Sequence, residues 1–336
     1  MLRARVGRFG LRRWPIPPFP KPAFKYSYNL SAQLNALRRW RDHEPGRSIP
    51  GKTPDTMLLA SWNIANLGVQ QRRTQDYRLI AELISWFDLT AIQEVNDNVN
   101  GLRQVLSHLP AAYRAVFSDK AGNDERLAFV YDSTKIELLE QIGEVAIPPA
   151  DLRFINLPGN GATFQGFDRT PYLASFRTGG LEMVLVNNHI FFGSDDDQSD
   201  MDRRALETFA VARWADLTRQ SAYSYSHHIV VVGDFNLPMM DWDDPIYAAL
   251  GRRGLYIVPH STQIGTNLRG DKHYDQIAFF PGLTGSVQTA AGVFDFDGAV
   301  FRQLWESRPA NDHADFFAFV KYYMSDHRIM WSQFEI

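Results

Sequence analysis

From Met57 onward the chain alternates short apolar runs with stretches of helical period. MLLASWN (57–63) is a near-continuous apolar run closed by an amide, the pattern of a strand buried on both faces. Tyr77, Ile80, Ile84 and Phe87, with Leu83 beside them, recur at helical spacing and predict a helix. LTAIQEV (89–95) predicts a second strand, VNGLRQVLSHL (99–109) a short helix and LAFVYD (127–132) another strand. YLASFRT (172–178) and LEMVLVNNHI (181–190) flank Gly179–Gly180, a hairpin signal. Leu206, Ala210, Trp214 and Leu217 predict a helix over about 200–220. HHIVVVGDFN (227–236), YDQIAFF (274–280) and a segment opening near His327 predict further strands. Strands fed by both hairpins and helices imply one mixed α/β domain over residues 56–336.

Residues 1–55 differ in texture. MLRARVGRFGLRRWPIPPFPKPAF is basic and proline-rich, and the first acidic residue of the chain is Asp42. A short helix is predicted over Leu30–Trp40, and HEPGRSIPGKTPDT is dense in turn formers. The pattern places a basic arm and linker over 1–55, ahead of the domain. The arm has two readings: a solvated extension pinned by Trp14, Phe19 and Phe24, or a contact for an anionic partner such as nucleic acid or lipid. The longest apolar runs, among them Leu181–Val186 and Ile229–Val232, fall far short of the roughly 20 residues a spanning helix needs, so no transmembrane segment is expected. The first charges are not followed by an apolar leader, and cytoplasmic residence is the expectation.

Composition narrows the chemistry. The chain has 336 residues and no cysteine, which excludes disulfides, thiolate metal sites and a cysteine nucleophile. A formal charge of −3 argues against charge-driven wrapping of nucleic acid but leaves room for a local basic cleft. The informative polar residues stand at strand ends. Asn63 closes the first strand, Glu94 the second, His189 the hairpin strand, and Asp234 and Asn236 the central one. Asp275 opens the next, and Asp326–His327 the last. Each alone has an ordinary explanation as a cap, turn or hydrogen-bonded core residue. Their recurrence in separate apolar strands implies one shared cleft.

The same segments carry a resemblance. SWNIANLG (61–68), AIQEV (91–95), NNHI (187–190), VVVGDFN (230–236), HYDQIAFF (273–280) and SDHRIM (325–330) resemble, in order, the motif series of the endonuclease/exonuclease/phosphatase superfamily. NDERLAFVYD (123–132), FDRTPYLASF (167–176) and VFDFDGAV (293–300) are similar to its deoxyribonuclease I-like branch. The resemblance implies a four-layer α/β/β/α sandwich, two mixed sheets face to face with helices outside. It implies a Mg²⁺-dependent phosphoesterase, with Mn²⁺ as a substitute, in which Glu94 holds the metal together with Asn63 and Asp326. Asp234 and Asn236 would handle the attacking water and a phosphate oxygen. His189 would pair with Glu125 and His327 with Asp275 for proton transfer, and Arg169 would face substrate phosphate, its other reading being a surface arginine. Arg72 and Arg73 read as a solvated helix entry more than a phosphate patch. Departures fall at Ala65, Asn96 and Asn123, where nucleases of the superfamily place acidic, basic or aromatic residues toward DNA. FRQLWESRPANDHADFFAFVKYYM (301–324) is an aromatic insertion at the expected cleft mouth. The expected function is a phosphodiesterase or endonuclease acting on nucleic acid; the alternatives are a lipid or inositol-phosphate phosphoesterase and a catalytically silent binding module.

Overall fold

β1 (Thr56–Leu67) divides its side chains between two cores. Leu58, Ala60 and Trp62 point toward helices, while Met57 and Leu59 point toward a second sheet, as the two-residue period of a strand requires. The computed structural model describes residues 19–96, 98–260, 264–282, 288–309 and 312–336, so Trp14 lies outside the described residues. β2 (Leu89–Asn96), β3 (Tyr113–Phe117), β4 (Glu125–Asp132), β5 (Glu137–Glu144), β6 (Tyr172–Thr178) and β7 (Leu181–His189) follow. β8 (Ile229–Asp234), β9 (Tyr256–Ile257), β10 (Asp275–Phe279), β11 (Gln288–Phe294) and β12 (Ile329–Glu335) complete two sheets. Their orders are β11-β12-β1-β2-β4-β3 and β5-β6-β7-β8-β10-β9. The pairs β1–β2 and β7–β8 are parallel and the remaining neighbours antiparallel, so both sheets are mixed.

The apolar faces meet in a core that includes Phe129, Phe176, Leu185, Val232, Ile277 and Met330. Outside the first sheet lie α1 (Leu30–His43), α2 (Thr74–Ser85) and α3 (Asn100–Leu106). Outside the second lie α4 (Gln198–Gln220) and α5 (Pro245–Gly251). α6 (Phe296–Ala299), α7 (Arg302–Glu306) and α8 (Ala314–Tyr323) fill the segment before β12 and join the first sheet's outer core. The result is the four-layer sandwich. The sequence pattern missed β3, β5, β9 and β11, whose exposed or short runs lack a continuous apolar signal. In α4 the expected stripe holds at Leu206 and Ala210, within a run from 204 to 212 that is buried all round, but fails farther on, where Trp214 is half-buried and Leu217 exposed while Ala215 and Asp216 are buried.

The sheets are fastened where the cleft begins. Asn187 on β7 donates through Nδ2 to the carbonyls of Ile92 (3.1 Å) and Ala128 (2.9 Å), both in the opposite sheet. Its Oδ1 accepts from Gln93 Nε2 at 2.6 Å. Next to it Gly233 has φ +138°, and a Cβ there would stand 2.1 Å from the Asn188 carbonyl oxygen, so β7 and β8 approach more closely than a side chain permits.

Residues 19–55 do not stand apart from this architecture. Leu37 is fully buried in the first sheet's outer core, and Phe24, Tyr26, Tyr28 and Trp40 pack against it. Tyr28 donates to Asp76 at 2.7 Å, and Trp40 Nε1 and Arg47 Nε both donate to Asp295 at 2.8 Å. Arg73, expected at a solvated helix entry, instead lies 4.5 Å from the Tyr323 ring centre and pairs with Asp76 at 2.8 Å. Arg72 is buried, donating to the carbonyls of Ala65 (2.6 Å) and Met324 (2.9 Å). Removing 1–53 strips Leu37 and Ile49 from the core. A chain starting at Pro54 is expected to lose at least about 3 kcal/mol in urea unfolding, from the apolar burial alone. Unfolding coincident with that of the full chain would show this packing to be energetically idle.

Candidate active site

Asn63 and Glu94, expected to close their strands, instead stand at register shifts inside β1 and β2, which run on to Leu67 and Asn96. His189, Asp234 and Asp275 do sit at the termini of β7, β8 and β10, and all five meet at one edge of the sandwich. Asp234 is the hub. Its Oδ2 accepts from Asn63 Nδ2 at 3.0 Å and lies 3.6 Å from His189 Nε2 and 3.7 Å from His327 Nε2. Its Oδ1 accepts the Asn236 backbone N–H at 2.8 Å, across a turn in which Asn236 has φ +50°. That turn swings the Asn236 side chain to donate to the Ile190 carbonyl at 2.7 Å. Extended backbone, which would set residues two apart on one face, thus stops at Asp234, yet both side chains line the same cleft.

Each imidazole is backed by a carboxylate. His327 Nδ1 donates to Asp275 Oδ2 at 2.8 Å, and His189 Nδ1 lies 3.3 Å from Glu125 Oε1. The pairings implied by the resemblance are therefore present in space. Burial pulls the His327 imidazole down, but Asp275 and Asp234 outweigh it and leave its pKa well above the ordinary value. Burial pushes the Asp275 carboxyl up to about 6. At His189, burial and Arg169 pull down, while Glu125 and Asp234 prevail and raise the pKa. Asp234 and Glu125 both stand below the usual carboxylate range: burial opposes ionisation, and the neighbouring imidazoles override it.

Glu94, with φ +60°, turns its carboxylate back over β1. Oε1 accepts from Asn63 Nδ2 at 2.9 Å and Oε2 from the Asn66 backbone N–H at 2.8 Å. Burial, followed by the Glu125 carboxylate, raises its pKa; Asp326 adds to the rise. Donor atoms of Glu94, Glu125 and His189 lie within 4.8 Å of one another, as do those of Asp234, Asp275 and His327. Asp326, expected as a metal ligand, belongs to neither group but lines the same cleft. The Asn63 Oδ1 is buried with no hydrogen-bond partner. A buried, unpartnered amide oxygen beside crowded carboxylates fits a hard divalent cation.

Arg169 is 4 % exposed and extensively engaged. Nε donates to the His189 carbonyl (2.9 Å), Nη2 to the Ile190 carbonyl (3.0 Å) and Nη1 to Asp168 (2.9 Å), with Glu125 also 2.9 Å away. The guanidinium sits on the cleft wall and holds the β7 end and Glu125 in place. Ala65 is fully buried and Asn96 nearly so, whereas Asn123 lines the cleft. Sequence reasoning missed Arg204, fully buried, which donates to Asp195 (2.7 Å), to the Asn236 carbonyl (2.9 Å) and to the Phe192 carbonyl. No local signal marked it, because the apolar stripe expected for α4 ran through Leu206 and Ala210. Glu207, also missed, accepts at 3.3 Å from the backbone N–H groups of Asp168 and Phe191 and so ties α4 to both sides of the site.

The cleft has a volume of about 1080 Å³. Beyond the catalytic edge it is lined by Phe192, Tyr274 and Phe317 and by Arg269, Lys272 and Lys321. The insertion thus supplies one wall through α8. No helix among the described residues is long and apolar enough to cross a membrane.

No protein-family model matches the sequence, and no curated protein matches it significantly. Solved structures do. Human Nocturnin's catalytic domain with bound sulfate is 13 % identical, covers 84 % of this chain and 93 % of its own, and superposes with a TM-score of 0.54. A humanized D. rerio TDP2 is 12 % identical over 84 % of this chain and 99 % of its own, with a TM-score of 0.53. A mannosyl-6-phosphatase from Bacteroides thetaiotaomicron is 16 % identical over 83 % and 100 % respectively, also at 0.53. The chain has the deoxyribonuclease I-like fold of endonuclease/exonuclease/phosphatase proteins. At these identities the likeness is one of fold.

One consequence concerns acidity. Burial pushes Glu207 up to about 7, against an ordinary value near 4.5. Between those values the folded state binds the extra proton, so stability falls as pH rises from about 4.5 through 7 and is level above. Urea unfolding of Glu207→Gln is expected to show a flatter decline over that window, by about 1–3 kcal/mol in total. An unchanged slope would place Glu207's ionisation elsewhere.

Proposed function

We propose that this protein is a divalent-metal-dependent phosphodiesterase that hydrolyses nucleic acid strands. The observation that carries the reading is the Asp234 carboxylate set between two imidazoles, each backed by its own carboxylate, beside the oxygen donors of Glu94 and Asn63. Glu94, Asn63 and Asp326 would hold the ion. A bound Mg²⁺ or Mn²⁺ neutralises charge on the phosphate oxygens. Asp234 orients and deprotonates the attacking water. His189 and His327, whose Nε2 atoms lie 3.6 and 3.7 Å from Asp234 Oδ2, manage protons at the two ends of the scissile bond, and Glu125 and Asp275 fix their tautomers and stabilise the imidazolium forms. Asn236, pinned by Arg204 and Ile190, offers its amide along the path of a phosphate oxygen. Arg169 acts as a positioning residue for Glu125 and the His189 backbone. The strand substrate is favoured over a single headgroup by the volume of the cleft, about 1080 Å³, and by its aromatic and cationic lining. A TDP2 with this fold is known in complex with a single-stranded DNA product, which supports the same reading.

Chelation should abolish turnover of bis(p-nitrophenyl) phosphate and of an oligonucleotide, and Mg²⁺ or Mn²⁺ should restore it. Glu94→Gln should raise the metal concentration needed for half-maximal rate while leaving thermal unfolding of the metal-free protein in place. Full activity in excess EDTA would sink the assignment.

His189→Ala and His327→Ala should each lower kcat by about 10²–10⁴-fold, the scale of general acid–base catalysis. Glu125→Gln and Asp275→Asn should give milder versions of the corresponding loss, and within each pair the double variant should cost little more than the histidine change alone. His228 stands at the opposite end of β8, roughly 20 Å from Asp234 at about 3.3 Å per residue, so His228→Ala should leave kcat unchanged. A silent His189→Ala beside a crippled His228→Ala would mean the chemistry is built from other residues.

A further inference from the structure

The catalytic edge is acidic: Glu94, Glu125, Asp234, Asp275 and Asp326 all gather there. A polyanionic strand approaching it needs compensating charge farther along the cleft. Four lysine or arginine side chains line the cleft, and two of them are already neutralised. Arg169 pairs with Glu125 and Asp168, and Lys272 with Asp195 at 3.0 Å. Arg269 and Lys321 have no carboxylate partner among the described residues; Lys321 lies only over the Phe19 ring at 5.4 Å.

Both are held on firm supports. The Arg269 loop is closed by Asn267, whose Oδ1 accepts the backbone N–H groups of Gly270 (2.9 Å), Asp271 (3.0 Å) and Lys272 (3.1 Å). The adjacent acid, Asp271, is engaged by the Asn267 amide at 2.7 Å. Arg328 then ties this loop to β12, donating to the Leu268 carbonyl at 3.1 Å while Asp297 grips its guanidinium at 2.7 and 2.8 Å. The Leu268 N–H also bonds the Asp326 carbonyl at 3.0 Å, which fixes Arg269 beside the catalytic edge. On the same cleft, α8 buries Phe316, Phe319 and Val320 and turns Ala314, Phe317 and Lys321, spaced three and four residues apart, into it.

Resting on the phosphodiesterase reading, we infer that Arg269 and Lys321 form a second phosphate subsite, which grips the backbone of a nucleic acid strand one or more nucleotides from the scissile bond, with Phe317 and the 42 % exposed Phe192 available to stack its bases. The subsite serves affinity for a strand and contributes nothing to the chemistry at a lone phosphodiester.

The test is the double variant Arg269→Gln/Lys321→Gln beside the full-length wild type. Binding of a fluorescein-labelled single-stranded thymidine decamer is followed by anisotropy in EDTA across a salt series. Turnover of bis(p-nitrophenyl) phosphate, which has one phosphate, is measured with Mg²⁺. The variant is expected to bind the decamer at least 10-fold more weakly, with a salt slope shallower by about 0.7 for the lost phosphate contact, and to keep wild-type turnover of the small diester. Inositol hexakisphosphate is expected to compete poorly with the decamer in the wild type. Equal decamer affinity in both proteins, or equal loss on the small diester, overturns the subsite; strong competition by inositol hexakisphosphate overturns the strand as its occupant. Weakened decamer binding in a protein that hydrolyses neither substrate would leave the subsite standing and defeat the phosphodiesterase reading instead.

Discussion

Asn187 sits where the sandwich has to be held in register. A stack of two apolar sheets is indifferent to small slides, because hydrophobic contact has no direction. Hydrogen bonds do. One buried amide reaching two carbonyls of the facing sheet, and accepting from Gln93, fixes how β7 stands over β2 and β4. Losing any of these leaves a buried polar group unpaired, so the arrangement is strongly specified. Asn63 and Glu125 come from one sheet, Asp234 and His189 from the other, and the 3.0 Å between Asn63 and Asp234 and the 3.3 Å between Glu125 and His189 exist only if the two sheets do not slide.

The same edge concentrates buried charge that would be costly alone. Five carboxylates and two imidazoles share it, and their compensation is local: each imidazole lies between Asp234 and a second acid, and Asn63 donates to both Glu94 and Asp234. At Glu94 burial and the Glu125 carboxylate oppose ionisation, and the His189 imidazole offsets them only in part. A cation there would relieve the charge excess that the protein itself leaves in place. Arg169 and Arg204 work from behind, gripping backbone carbonyls of the segments that carry His189 and Asn236.

Aromatic packing connects the N-terminal segment to the cleft. Tyr26 meets Phe319 edge to face at 5.1 Å, and Phe24 lies 6.2 Å from the same ring. Phe319 is the buried side of the helix whose other side presents Phe317 and Lys321. Arg73 adds cation–π contacts to Tyr28 and Tyr323. The wall that borders the cleft is thus supported by residues that the sequence pattern assigned to an arm outside the domain.

Much of the fold was legible in the chain alone. Buried strands such as β1, β2, β7 and β8 announce themselves as apolar runs because both their faces are covered, and a polar residue within or at the end of such a run stands out because it is buried too. From that pattern Asn63, Glu94, His189, Asp234 and His327 could be placed along one edge. Residues whose roles depend on a partner distant in sequence were not readable this way. Leu37 and Trp40 look like any amphipathic helix until Asp295, more than 250 residues later, is seen to accept the indole N–H. Arg204 looks like a surface cation until its carbonyl partners are known, and Arg169 like a phosphate ligand until its donors are found engaged. Local pattern reports whether a side chain is buried, because solvent exposure follows the period of the element. Which charge meets which, and which cation stays free for a substrate, depends on non-local contacts that only the folded chain makes.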